Sequence, residues 1–223
     1  MTFAPGLLAG RRALVTGGGT GLGRSIGRRF VELGASLAIC GRRAAVLEAT
    51  AEAFRAELPG AEVTTHPCDI RDAAAVEAML DDVWRDGPAD ILVNNAAANF
   101  LAQTHRLSAR AVDAVLGSTL HGAAYCTIGC GRRWIEAAQP GVVLSILTLS
   151  ALQGGAFTAP SAMAKAGLLA MTQSLAVEWG PHGIRLVAIA PGTFPTEAAV
   201  ARLRPGGVEH AGVPLRRAGK HEE

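Results

Sequence analysis

The stretch Thr16-Gly17-Gly18-Gly19-Thr20-Gly21-Leu22-Gly23 constrains the fold more than any other part of the chain. It follows the apolar run Ala13-Leu14-Val15 and leads into Arg24-Ser25-Ile26-Gly27-Arg28-Arg29-Phe30, so it reads as strand, glycine turn, helix. Glycine lets the backbone turn tightly and approach a ligand with no Cβ in the way. The first turn of the following helix points unpaired N–H groups, and the positive end of its dipole, at whatever lies above. That is a seat for an anion, here the pyrophosphate of a dinucleotide. The G-x-G-x-x-G fingerprint is absent, and T-G-x-x-x-G-x-G stands in its place. A glycine run alone is a weak signal. Its place after the first strand, near the N-terminus, strengthens it.

Apolar strand-like runs alternate with amphipathic helix-like runs along the 223 residues. The pattern predicts strands at Ala13–Thr16, Ser36–Cys40, Glu62–Pro67, Ile91–Asn94, Val142–Leu147 and Arg185–Ile189. It predicts helices at Leu22–Leu33, Ala44–Leu58, Ala73–Arg85, Ala109–Ala137, Ala162–Trp179 and Glu197–Leu203. Apolar strands separated by helices imply a parallel sheet covered on both faces. Right-handed crossovers make it a doubly wound α/β fold of the Rossmann type. No repeat or linker divides the chain, so one dinucleotide-binding domain over 1–223 is expected.

Only 4% of residues are aromatic, so Ala, Gly, Leu and Val must carry the core. The net charge of +2 gives no sign of a nucleic-acid or membrane surface. Cys40, Cys68, Cys126 and Cys130 form no C-x-x-C pair, and no metal site is expected. They read as buried free thiols in a reducing compartment. The start does not read as a signal peptide, and a cytoplasmic location is expected.

The second strand ends in Gly41-Arg42-Arg43, with no Asp or Glu between Glu32 and Glu48. An acidic residue at such a strand end bonds an adenosine 2′-hydroxyl, whereas arginine suits a 2′-phosphate. Arg42 and Arg43 therefore favour NADP(H), against the plainer reading of two arginines opening a solvated helix. Asp69, before Ile70, could accept from the adenine amino group or cap the next helix with Asp72. Asn94-Asn95-Ala96-Ala97-Ala98-Asn99-Phe100 ends the fourth strand with small residues that let a flat cofactor lie close. Its asparagines either tie strands together or face a ligand. Tyr125, Cys126 and Cys130 read as packing. Lys165, in Ser161-Ala162-Met163-Ala164-Lys165, needs a reason beyond solvation. Ala190-Pro191-Gly192-Thr193, with Thr196 nearby, closes the last strand on the same sheet edge as the glycine turn.

The set Thr16–Gly23, Asp69, Asn94-Asn95-Ala96, Lys165 and Pro191-Gly192 resembles the short-chain dehydrogenase/reductase family over essentially the whole chain. The resemblance implies a nicotinamide cofactor and hydride transfer. It implies cofactor contacts at Gly17, Gly19, Thr20, Gly21, Leu22 and Gly23, at Asp69 and Ile70, and at Asn95 and Ala96. Lys165 matches the lysine that bonds the nicotinamide ribose, and Pro191, Gly192 and Thr193 the turn that holds the nicotinamide. Three positions depart from the family pattern. Ser161 stands where the family has tyrosine, Thr148 where it has its catalytic serine, and His121 where it has asparagine.

A tyrosine beside an ammonium is a usable acid for an alkoxide, and a serine hydroxyl is not. Ordinary carbonyl reduction is therefore handicapped. In a conjugated thioester, hydride goes to a chain carbon and charge collects on the thioester oxygen, which needs hydrogen-bond donors. Asn99 and Ser161 could supply them. Asn94–Phe100, Pro160–Gly167, Ser174–Gly180 and the tail from Pro191 to Pro205 resemble the 2,4-dienoyl-CoA reductase branch. In that branch the residues matching Asn99, Ser161 and Lys165 belong to the active site. A catalytic tyrosine of the mitochondrial-type enzymes is Ser150 here. The expected activity is NADPH-dependent reduction of a 2,4-dienoyl or enoyl fatty acyl-CoA. The alternatives are a 3-oxoacyl or other carbonyl reductase, with Thr148 or His121 as substitute acid, and a non-catalytic NADP-binding protein. Val213–Glu223 resembles the segment before the family's last helix and strand. The sheet is therefore expected to lack those elements, and a homo-oligomer is expected only where they are present. A substrate lid is expected in or after Thr193–Val213.

Overall fold

The computed structural model describes residues 3–196 and 215–221. The predicted helix Glu197–Leu203 and most of the expected lid lie outside the described residues. Six strands, β1 (Arg12–Thr16), β2 (Ser36–Gly41), β3 (Val63–Pro67), β4 (Ile91–Asn94), β5 (Gly141–Ile146) and β6 (Ile184–Ile189), form one sheet. All pairings are parallel, in the order β3-β2-β1-β4-β5-β6. The order reverses between β1 and β4, as in a doubly wound Rossmann fold, and ligands of such sheets sit beyond the carboxyl ends of the strands at that reversal.

Successive strand residues face opposite sides of a sheet, and the core divides accordingly. Leu14, Ala38, Leu92, Val143 and Leu186 pack with α3 (Ala73–Arg85) and α5 (Gly122–Glu136). Ala13, Val15, Leu37, Ile39 and Val93 pack with α1 (Gly21–Glu32) and α2 (Ala44–Glu57) on the other face. Fully buried Phe54 and Leu80 anchor α2 and α3; burial of one such side chain is worth about 1.5–3 kcal/mol. The small residues expected to carry the core do so by close approach. A Cβ on Gly131 would lie 2.4 Å from the Trp179 ring, where α5 meets α7 (Ala159–Trp179). At the outer strand β6, Val187 and Ile189 remain half-exposed.

Three helical details differ from the sequence expectation. The single helix predicted over Ala109–Ala137 is α4 (Ala109–Leu116), a π turn over Gly117–His121, and α5. Two side-chain hydroxyls of this wider turn bond carbonyls, one in the preceding helix and one in the loop after β4. Ser118 Oγ donates to the Ala114 carbonyl at 3.0 Å, and Thr119 Oγ1 reaches the Ala98 carbonyl. A short helix, α6 (Ser150–Gln153), precedes α7. Helix α7 starts at Ala159 rather than Ala162, with Pro160 in its first turn, where the missing N–H removes no intrahelical bond.

Candidate active site

The glycine turn is held from three sides. The Gly17 amide donates to the Cys40 carbonyl of β2 at 2.8 Å. Thr50 Oγ1 of α2 donates to the Gly19 carbonyl at 2.9 Å. Asn95 Nδ2 donates to the Thr16 carbonyl at 2.9 Å. A Cβ on Gly23 would lie 2.4 Å from both the Gly17 carbonyl oxygen and Asn95 Nδ2, so no larger residue fits. Gly21 takes a left-handed φ of 54°, which favours glycine. Thr20, the residue before α1, makes no side-chain capping bond, and no acidic side chain sits in the first turn. The opening amides of α1 are thus left for an external anion, which fits a dinucleotide pyrophosphate.

Thr16 is the organiser that the sequence reading passed over. Its buried hydroxyl donates to the Val93 carbonyl and accepts from the Asn95 and Ala96 amides, both at 3.0 Å. One side chain thus joins the ends of β1 and β4 at the reversal point. A threonine closing an apolar strand immediately before the glycines was the available signal. Of the two readings open for the asparagines, strand-tying is the one seen at Asn95, whereas Asn94 ties β4 to a helix and its buried Oδ1 has no hydrogen-bond partner among the described residues. Asn94 Nδ2 donates to Thr127 Oγ1 of α5 at 2.8 Å, and the Asn95 amide is engaged with the turn.

Arg42 is exposed directly after β2. Gly19 abuts Val46 and Leu47 of α2, which places this strand end beside the glycine turn. The capping residue of α3 is Asp72, which accepts from the Ala74 and Ala75 amides. Asp69 instead accepts from the Arg71 amide and guanidinium, and that guanidinium holds its carboxyl below the usual range. Ile70 is buried against Gly122 of α5.

Ser161 and Lys165 are four residues apart in α7, hence on one face of the helix. Each is only 5% exposed. Lys165 Nζ donates to the Ile146 carbonyl at the end of β5, two residues before half-buried Thr148. No carboxylate pairs with it among the described residues, and burial pulls its ammonium down to about 8. The Asn99 loop is tied to both neighbours. The Ala98 amide donates to Thr119 Oγ1 of the π turn at 3.2 Å, and the Ala102 amide donates to the Phe157 carbonyl just before α7. Asn99 itself is half-buried. Phe157, unremarked in the sequence, has a left-handed φ of 64°. Leu101, Leu149, Leu152, Phe157 and Met163, all on these segments, are exposed apolar side chains. His121 is exposed at the end of the π turn, tilted against Tyr125. Cys126 and Cys130 are fully buried core residues. The Pro191-Gly192-Thr193 turn follows β6, and Thr196 beyond it lies over Gly21.

The carboxyl ends of β1, β4, β5 and β6 thus gather an anion seat, a buried lysine and a tethered loop on one edge. A family model described as short chain dehydrogenase matches residues 11–205. The chain belongs to that family, and its members are oxidoreductases that use a nicotinamide dinucleotide. It is 45% identical over 231 residues to an uncharacterized oxidoreductase of Caenorhabditis elegans, covering 100% of this chain and 74% of that protein. It is 42% identical to a probable 2,4-dienoyl-CoA reductase of the same organism, over 90% of this chain and 65% of that one. A 3-ketoacyl-(acyl-carrier-protein) reductase from Brucella melitensis, solved with NADH, is similar in structure. Its TM-score is 0.86 at 26% identity, over 96% of this chain and 87% of that one. The chain therefore spans about two thirds to three quarters of the two curated relatives. Among the described residues, no helix is long and apolar enough to cross a membrane.

Proposed function

We propose that this oxidoreductase reduces a 2,4-dienoyl or enoyl fatty acyl-CoA thioester with NADPH. The observation that carries the reading is the pair Ser161 and Lys165, buried on one face of α7 beside the end of β5 with no tyrosine between helix and strand. Bound nicotinamide supplies the hydride. The chain supplies position and polarity. The first turn of α1 seats the pyrophosphate, Thr16 and Asn95 hold that turn rigid, and Arg42 faces the adenosine 2′-phosphate. Asp69, Ile70 and Ala96 flank the adenosine side, and Pro191, Gly192 and Thr193 hold the nicotinamide. Lys165 holds the ribose hydroxyls.

Asn99 and Ser161 donate to the thioester oxygen, where charge gathers as the chain carbon is reduced. Fixed donors at such an oxygen are among the largest contributions to rate that a site can make. The proton that completes the reaction is drawn from water and goes to carbon, so no strong acid is needed at position 161. Exposed apolar side chains on the flanking segments suit an acyl chain. The name of the 42%-identical relative agrees with this substrate class.

Loss of NADPH absorbance, followed separately with 2,4-hexadienoyl-CoA and acetoacetyl-CoA, tests the reading. Turnover of the dienoyl substrate well above the 3-oxo substrate is expected, and Arg42→Ala should erode the preference for NADPH over NADH about tenfold or more. Faster turnover of acetoacetyl-CoA would favour the carbonyl-reductase reading, with Thr148 or His121 near the oxygen. Dinucleotide binding without turnover of either would favour a non-catalytic NADP-binding protein.

A further inference from the structure

Residues Leu215–His221 return to the glycine turn. Ser25 lies one helical turn beyond Gly21 in α1, and its hydroxyl donates to the Gly21 carbonyl at 3.2 Å. The same oxygen is 3.2 Å from His221 Nδ1. The single hydroxyl proton is already directed at Gly21, so His221 Nδ1–H is the donor in this contact. Two residues earlier, the Gly219 amide donates to the Thr193 carbonyl at 2.9 Å. Gly219 abuts Phe194, where an added Cβ would meet the ring at 2.4 Å. Thr196 completes the enclosure, with its methyl 3.0 Å from where a Cβ of Gly21 would be. Both the turn after β6 and the returning segment therefore meet at the open N-terminus of α1.

We propose that Leu215–His221 is a further wall of the dinucleotide site, held by the His221–Ser25 hydrogen bond, and that its seating and dinucleotide binding are coupled. The proposal rests on the cofactor reading above. One turn of helix is about 5.4 Å, so a residue bonded to Ser25 stands within reach of the amides that would face the diphosphate. Arg217 and Lys220 make the segment cationic, which complements an anionic ligand. His221 acts through Ser25 and the first turn of α1, as a positioning residue.

Coupling between binding and seating is reciprocal. If the seated segment strengthens dinucleotide binding, the dinucleotide must protect the segment by the same factor. Calorimetric titration of NADPH and NADH into the full chain, its His221→Ala, Ser25→Ala and double variants, and His221→Asn provides one arm. The asparagine keeps an N–H donor near the position of Nδ1. Trypsin cleavage after Arg217, followed by mass, provides the other. Each alanine variant is expected to weaken NADPH binding about tenfold, the double variant no more than either single one, and His221→Asn to restore most of the loss. NADPH should slow cleavage after Arg217 about tenfold in the unmodified protein and much less in Ser25→Ala. Equal affinity in all variants, or cleavage indifferent to NADPH, would overturn the proposal while leaving the cofactor reading intact. No binding of either dinucleotide by the unmodified chain would overturn the cofactor reading, and this proposal with it.

Discussion

Lys165 is the residue on which the site turns. A buried ammonium whose only partner among the described residues is a backbone carbonyl is costly to keep charged, and burial brings it down to about 8. An unfolded lysine titrates near 10.4, so between about pH 8 and 10 the unfolded chain holds more protons and stability must rise with pH. Below pH 8 both states are protonated and the full cost applies. Lys165→Met is therefore expected to stabilise the ligand-free protein at pH 7 by about 1–3 kcal/mol and to flatten that rise. Urea midpoints between pH 7 and 10 measure both effects; a destabilised variant with an unchanged pH profile would refute the account of Lys165. Ser161 and Asn99 make the opposite kind of prediction. Ser161→Ala and Asn99→Ala should each lower kcat for a dienoyl thioester about 10²–10³-fold with little change in stability, since one donor to a developing oxyanion carries that much. Full activity in both would remove them from the mechanism. The sequence singled these residues out as candidates, but the contacts that support them were not legible there. Neither the Thr16 hydroxyl nor the left-handed Phe157 leaves a periodic trace, because each acts through backbone partners distant in sequence.

Among the elements, the strands and α1, α2 and α3 were legible because hydrophobic periodicity and glycine punctuation coincide there. The π turn was not. Apolar spacing runs unbroken from Ala109 to Ala137, and nothing in it marks the wide turn, where Ser118 bonds the Ala114 carbonyl and Thr119 the Ala98 carbonyl of the loop after β4. Helix α7 starts three residues before the expected Ala162, with Pro160 in the first turn, where proline is tolerated. The junction of β3 and α3 carries its own pH dependence. Nearly buried His66 on β3 lies 3.0 Å by Nδ1 from Asp82 of α3 and 3.0 Å by Nε2 from Thr64 Oγ1. Burial lowers its proton affinity, and Asp82 opposes that. Neutral His66 donates to Asp82 and accepts from Thr64; the unfolded imidazole, titrating near 6.5, takes a proton first as pH falls. Stability is thus fully present above about pH 6.5 and declines with acidification. Asp82→Asn removes the opposing charge, so its urea midpoint should drop further than that of the unmodified protein between pH 7.5 and 5.5. Parallel pH profiles would disprove the clasp.

At the scale of the whole molecule, topology does most of the chemical work. The strand order reverses between β1 and β4, and that reversal brings residues from position 16 to position 193 to one edge. Length, alternation and the glycine turn made this legible in advance. The four cysteines also behave as a core of this kind requires. All are buried, with Cys40 pushed up to about 12 and Cys68 to about 11 by burial. The least legible feature was the return of Gly219–His221 to α1, since no local pattern records a contact between residues 25 and 221. The proposed reaction delivers hydride to a chain carbon of a conjugated thioester rather than to a carbonyl carbon. NADPH deuterated at nicotinamide C4 on the transferred side, incubated with 2,4-hexadienoyl-CoA and acetoacetyl-CoA together, measures this directly. Deuterium is expected on a former alkene carbon of an enoyl-CoA product, with one NADPH oxidised per double bond lost. Deuterium on the carbinol carbon of a 3-hydroxyacyl-CoA, with the dienoyl thioester recovered unlabelled, would contradict it.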